Sequence, residues 1–119
     1  GLKYGNFWDS LDYEWDDTLT SILVAASATH PVLVKEIAHV VTTAFTSTAT
    51  VDVGDGTDPD HYIDTTDMAV DSLGNVTSSL NAASPHNGVW NTANFEIKVT
   101  VAGTVTGGAG KLLVNMLRF

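Results

Sequence analysis

The 119-residue sequence contains no cysteine. The chain therefore has no disulfide framework, no thiolate metal site and no cysteine nucleophile. Basic residues are scarce as well: five Lys and Arg stand against 14 Asp and Glu, and the formal net charge is −9. Binding to nucleic acid or to anionic lipid depends on clustered cations near the phosphates. We therefore expect neither nucleic acid nor a membrane as a partner.

Long hydrophobic runs are also missing, because no apolar stretch approaches the ~20 residues that cross a bilayer as a helix. The sequence is instead rich in Thr and Val, with Gly, Asn and Asp between short apolar runs. This composition favours strands joined by turns. About seven such strands predict an all-β fold, an antiparallel two-layer β-sandwich of which the jelly roll is one form.

Two predicted strands are apolar on both faces. Residues 32–45 read as one long strand, or as two joined by a bulge, and a period of two places Leu33, Ile37 and Val41 on one face. Residues 111–119 form the last strand, with Leu112, Val114 and Met116 on one face and Leu113, Leu117 and Phe119 on the other. Such strands are central in a sheet or lie at a subunit contact. The alternating segment 95–101 is predicted to form a hairpin with the last strand.

Residues 1–20 are predicted to form an aromatic and acidic N-terminal arm that precedes a sandwich domain at 21–119. The spacing of Trp8, Leu11 and Trp15 indicates one helical face, although an isolated helix of this length is marginal. Tyr and Trp are favoured anchors in protein contacts, so we expect the arm to cover its own sheet or that of a neighbour. The predicted interface residues are Phe7, Trp8, Leu11, Tyr13, Trp15, Leu113, Leu117 and Phe119.

The acidic loop is the candidate metal site of the sequence. Its side chains Asp52, Asp55, Asp58 and Asp60 flank a Gly-containing turn, and calcium is bound by carboxylates and carbonyls on such loops. The spacing is not that of an EF-hand. The alternative is a β-turn in which each Asp bonds its own backbone. His61 follows Asp60, so a mixed His and Asp site is a further alternative. No other metal and no cofactor are predicted.

No pattern indicates catalysis. The sequence contains no HExxH and no GxSxG motif, and no two acids are placed as a glycosidase pair. The Gly-rich segment 103–111 joins two predicted strands, so it does not match a phosphate-binding loop. We therefore expect a protein that is not an enzyme.

Segments of the chain resemble a known group of proteins. The strand end VVTTAF at 40–45, the segment ATVDVGDGTDPDHYI at 49–63 and the Gly-rich connection ending AGKLLV at 109–114 carry the resemblance. They are similar to small β-sandwich virion proteins of tailed bacteriophages, which serve as head decorations, head fibres or tail accessories. The similarity covers residues 32–119 and leaves out the arm.

The resemblance implies a structural protein of the virion, made in the cytoplasm of a bacterial host. Its expected partners are further copies of itself, with a trimer favoured by analogy, and other virion proteins. A second hypothesis is a carbohydrate-binding β-sandwich module, calcium-dependent or not, in which Trp90 or Tyr62 stacks on a glycan.

Overall fold

The structure, a computed structural model, describes residues 2–18, 20–79 and 89–119. These residues contain a 3₁₀ turn at Thr65–Asp67 and eight strands. The strands are β1 (Gly5–Glu14), β2 (Ser21–Val24), β3 (Val32–Thr43), β4 (Thr50–Gly54), β5 (Val76–Ser78), β6 (Val89–Asn91), β7 (Phe95–Ala102) and β8 (Ala109–Arg118). Within the described ranges, no helix is long and apolar enough to span a membrane. A turn at Asn87–Gly88, which that dipeptide favours, falls outside them.

Two antiparallel sheets pack face to face, which confirms the predicted all-β sandwich. The larger sheet has the order β1-β8-β3-β5, and β6 pairs with a second stretch of the same edge of β3. The smaller sheet has the order β2-β7-β4. The inward side chains of the two sheets form one core, because side chains alternate between the faces of a strand. Phe45, Tyr62 and Ile63 from the connections close that core and are buried.

A bulge in β3 alters the faces expected from the sequence. The register of β3 against β8 shifts between Val34 and Glu36, which leaves Lys35 as an extra residue. Val34 and Ile37 therefore both lie in the core, whereas Leu33 points away from it. The prediction that Leu33 and Ile37 share a face was wrong for this reason. The prediction for β8 is confirmed, since Leu112, Val114 and Met116 are all fully buried.

The segment that suggested a helical face is extended. Gly5–Glu14 forms β1 and pairs with β8 along its whole length, from Gly5 opposite Arg118 to Glu14 opposite Ala109. Phe7, Leu11 and Tyr13 fall on its inward face with a period of two. Trp8 and Leu11 thus lie on opposite faces, and the helical interpretation was wrong. Pairing with β8 satisfies the backbone hydrogen-bonding groups of this segment, whereas a short isolated helix would be only marginally stable.

The predicted hairpin between the last two strands was also wrong. β7 pairs with β2 and β4 in the smaller sheet, whereas β8 pairs with β1 and β3 in the larger one. The connection 103–108 crosses from one sheet to the other. Gly103 and Gly108 adopt φ values of 90° and 137° in it, which side chains disfavour. The alternation of apolar and polar residues in 95–101 predicted the strand correctly, but it carries no information about which strands pair with it.

A buried hydrogen bond crosses the larger sheet beneath Gly110. The hydroxyl of Tyr13 on β1 lies 2.5 Å from Nε2 of His39 on β3. Gly110 of β8 stands between the two strands, and a Cβ there would lie 2.6 Å from that nitrogen and 2.8 Å from the Tyr13 ring. Burial lowers the pKa of His39 to about 4 and raises the pKa of Tyr13. The imidazole is therefore neutral at pH 7.

We expect Gly110→Ala to destabilise the protein by about 1–3 kcal/mol, because a methyl group is forced into a filled core. Denaturant unfolding measures the change. Gly107→Ala is the matched control, since nothing lies within 4 Å of a Cβ at that position. Equal stability of the two variants would show that Gly110 is not required for the approach of Tyr13 to His39.

Candidate functional site

The candidate functional site is the surface of the larger sheet that points away from the core, here called the outer face. On this face, residues that lie opposite one another on neighbouring strands form rows across the sheet, and the register of β1, β8, β3 and the short edge strands β5 and β6 gives these rows. The apolar side chains of these rows are Trp8, Leu33, Ala38, Val40, Val76, Trp90, Leu113 and Leu117. Phe119 follows β8 and joins them at one end.

The outer face is covered only in part by the chain itself. Leu33, Leu113 and Leu117 are half-buried by their neighbours in the sheet. Trp8 and Trp90 are each 48% exposed, and Val76 is 62% exposed. Large apolar side chains that remain exposed on one face of a sheet are a feature of interaction sites, although the row of Asn115 and Glu36 here lies between those of Leu117 and Leu113.

Polar groups on the outer face are already engaged. Lys111 Nζ lies 3.9 Å from the Asp12 carboxylate, and Glu36 accepts a hydrogen bond from the Ser78 hydroxyl at 2.9 Å. Asn115, in the row of Trp8, is buried and donates to the Phe7 carbonyl at 3.5 Å. These pairs leave little net charge on the face.

The eight predicted interface residues are divided between two environments. Phe7, Leu11 and Tyr13 face the core of their own sandwich. The outward residues are Trp8, Leu113 and Leu117 on the outer face, Phe119 beside it and Trp15 just beyond β1. Trp15 is 37% exposed. Only the outward group presents surface to a partner while β1 stays paired.

Arg118 holds the start of the chain to the sandwich and was not anticipated from the sequence. Its side chain is 4% exposed, and it donates from Nε to the Lys3 carbonyl at 2.7 Å and from Nη1 to the Ala25 carbonyl. Its Cζ lies 5.6 Å from the centre of the Phe7 ring. A buried guanidinium needs such acceptors. The strand pattern places Arg118 on the inward face, which is the only signal that could have revealed it.

An exposed aromatic stack lies at one end of the outer face. The rings of Trp90 and Phe119 are stacked with centroids 4.8 Å apart and planes 20° apart. The Phe119 carbonyl is in turn 2.8 Å from Nδ1 of His30. The sequence singled out both aromatics but not their stacking, which depends on the pairing of β6 with β3. Tyr62, the other predicted glycan-stacking residue, is 2% exposed and belongs to the core.

The acidic loop is organised by bonds to its own backbone. Asp55 Oδ1 accepts from the amides of Thr57 and Asp58 at 3.0 and 2.8 Å. Asp52 Oδ1 accepts from the amide of Thr65 at 2.8 Å. His61 Nδ1 lies 3.8 Å from Oδ2 of Asp58 and 4.0 Å from Oδ2 of Asp55. These bonds correspond to the turn alternative of the sequence analysis.

Neighbouring carboxylates shift the pKa values of Asp60 and Asp64 in opposite directions. Side-chain hydrogen bonds with Asp58 and with Asp64 raise the pKa of Asp60 to about 6, because a proton between carboxylates relieves their repulsion. The amide of Thr66 donates to Asp64 and, together with Asp60, lowers the pKa of Asp64. Partial desolvation raises the pKa of Asp52.

A tight group of possible metal ligands lies elsewhere. Among the residues that the structure describes, Glu14, Asp16 and Asp17 form the one group of three or more whose ligand atoms lie within 4.8 Å of one another. All three are exposed, and Asp17 Oδ2 already accepts from the amide of Glu14 at 2.8 Å. The candidate calcium ligands Asp52, Asp55, Asp58 and Asp60 are not brought together in this way.

The titration of Asp60 predicts a pH-dependent effect of Asp60→Asn. The pKa of Asp60 is higher in the folded than in the unfolded protein, so its protonated form stabilises the fold. This stability is fully present below the pKa of the unfolded state and is lost as pH rises through about 6. At pH 7 the wild type therefore carries a repulsion that the amide lacks. We expect the variant to have the higher melting temperature at pH 7, and a smaller difference at pH 4.5.

Asp71→Asn controls for the general effect of removing one negative charge from an acidic chain at each pH. A carboxyl-carbon NMR titration measures the Asp60 midpoint directly. A midpoint near 4 for Asp60 would contradict the shared proton.

In comparisons with protein-family models, with curated proteins and with solved structures, nothing matches this chain. The function proposed below therefore depends on the chain's own surfaces and on the resemblance of its segments 40–45, 49–63 and 109–114 alone.

Proposed function

We propose that the chain is a non-enzymatic structural protein of a bacteriophage virion, a capsid decoration or a tail or neck accessory, that acts through contacts between subunits. The observation that carries the proposal is the outer face. The strands β3 and β8 bury one apolar face in the core, and their other face remains half-exposed. A protein that works as a subunit needs such a surface, whereas a monomeric domain gains nothing from it.

The resemblance of residues 32–119 to virion proteins of tailed bacteriophages supplies the setting for these contacts. The proposed location is the virion, after synthesis in the cytoplasm of the bacterial host. The partners are copies of the chain, with a trimer favoured, and other virion proteins. The net charge of −9 suits a particle that carries many copies, because like-charged exteriors repel one another.

The proposal predicts that particles purified from the source phage by density gradient contain this chain in many copies. Trp8→Ala combined with Trp15→Ala should reduce the copies per particle at least tenfold, because both exposed indoles are favoured contact residues. Quantitative mass spectrometry of the particles measures the loss.

Circular dichroism of the isolated double variant serves as the control for folding. Leu23→Ala provides a matched surface change, since Leu23 of β2 is 76% exposed and belongs to the smaller sheet. Particles that lack the wild-type chain would refute the virion role. Normal loading of the double variant would refute only the part played by the two tryptophans.

The stack of Trp90 and Phe119 favours a second candidate function, a carbohydrate-binding module. Exposed aromatic rings offer an apolar face to sugar rings, and these two lie side by side at one end of the outer face. Calcium dependence is an open part of this alternative, with the acidic loop as its candidate site.

If the alternative holds, a glycan array shows specific binding that Trp90→Ala abolishes. Trp8→Ala is the matched control, because that indole is equally exposed but does not stack on Phe119. An array on which the wild type binds no glycan, with or without calcium, would remove this candidate.

A further inference from the structure

The two outward surfaces of the sandwich differ in chemistry. On the smaller sheet, the outward positions carry Ser21, Leu23, Thr50, Asp52, Glu96, Lys98 and Thr100. Leu23, which is 76% exposed, is the sole large apolar side chain in that set. On the outer face of the larger sheet, apolar side chains are contributed by every one of its five strands. The outer face therefore carries several large apolar side chains among its polar ones, whereas the outward surface of the smaller sheet carries one.

The size of the outer face suits a stable protein contact. The strands β1, β8 and β3 have 10 to 12 residues each, and β5 and β6 add three residues each along one edge. At about 4.8 Å between strands and about 3.4 Å per residue, they cover a flat area of about 600 Å². The relief of the side chains and the stack of Trp90 and Phe119 add to this area. A standard interface takes ~800 Å² from each partner, so the face is of comparable size.

Charge favours a second copy of the chain as that partner. The charged groups along the rows of the outer face include the Asp12–Lys111 pair and the hydrogen-bonded Glu36, with Lys35 at the bulge. Glu14, opposite Ala109, adds a third carboxylate, so Asp12, Glu14 and Glu36 against Lys35 and Lys111 give the face a net charge of −1, compared with −9 for the whole chain. Two such faces therefore meet with little net repulsion. The acidic loop and the segment after β1 carry much of the remaining negative charge, and contact through those regions would place like charges together.

Pairing through the free edge of β1 is disfavoured. β1 is an edge strand of the larger sheet, but side chains form hydrogen bonds with several of its backbone groups. Lys3 Nζ donates to the Trp8 carbonyl at 3.3 Å, and the amides of Ser10 and Glu14 donate to Asp9 and Asp17. Charged side chains on an edge strand also discourage the addition of another strand. Self-association is therefore directed to the face of the sheet rather than its edge.

We propose that copies of the chain assemble by packing their outer faces against one another around the symmetry axis, with Leu113 at the centre of the contact. The inference rests on the proposed function, since it names the surface and the partner of the subunit contacts. Leu113 lies between Ser10 on β1 and Ala38 on β3, near the middle of the sheet. In the assembly, the polar outward surface of the smaller sheet remains in solvent or meets other proteins.

Sedimentation equilibrium of the isolated chain over a wide concentration range tests the proposal. We expect the wild type to reach a whole multiple of the monomer mass. Leu113→Glu should weaken self-association at least tenfold, because the contact would bury an unpaired carboxylate. Val76→Glu should act in the same direction. Val76 is already 62% exposed, so this variant keeps the fold intact should Leu113→Glu unfold.

Leu23→Glu is the matched control, because it makes a similar change on the outward surface of the smaller sheet. It should associate like the wild type. A wild type that stays monomeric at hundreds of micromolar overturns the proposal and leaves the outer face to a different partner. Equal weakening by Leu23→Glu and Val76→Glu overturns the choice of surface. A monomeric chain that is abundant in particles would overturn this inference alone, whereas an oligomeric chain absent from particles would overturn only the virion role.

Discussion

The pairing of β8 with β1 on one side and β3 on the other is the constraint on which the rest of the structure depends. Each ladder runs along the whole of β8. Because side chains alternate, this register places Leu112 and Met116 in the core and Leu113 on the outer face. A slip of one residue would exchange the two sets. The core and the outer face are therefore built by the same backbone hydrogen bonds.

The sequence was informative where a single strand determines the outcome. The alternation within 95–101 and 111–119 identified two strands and the buried side chains of β8. It failed where the outcome depends on a distant partner. The spacing of Trp8, Leu11 and Trp15 fits one face of a helix and not one face of a strand, and the segment is a strand because β8 offers it a ladder. The pattern of apolar residues does not reveal the bulge at Lys35, yet the bulge reverses which face of the sheet the preceding residues of β3 point to.

The acidic loop shows why a ligand set is hard to derive from residue types alone. Asp55 and Asp52 have carboxylates suited to calcium, but they accept hydrogen bonds from backbone amides that the turns would otherwise leave unsatisfied. Asp60 instead meets Asp58 and Asp64, and its hydrogen bonds with these carboxylates raise its pKa. A loop rich in Asp is thus explained by the needs of its own turns before any ion is considered.

The first strand joins these features into one arrangement. Its beginning is held by the bonds of Arg118, and its end by the Tyr13–His39 bond that the absence of a side chain at Gly110 permits. Between these anchors β1 buries Phe7 and Leu11 and turns Trp8 outward. The aromatic segment that the sequence suggests as an arm thus contributes both to the stability of the sandwich and to its exposed surface. Because local side chains bond the free edge of β1, the outer face beside that edge is the surface through which we propose that copies of the chain associate.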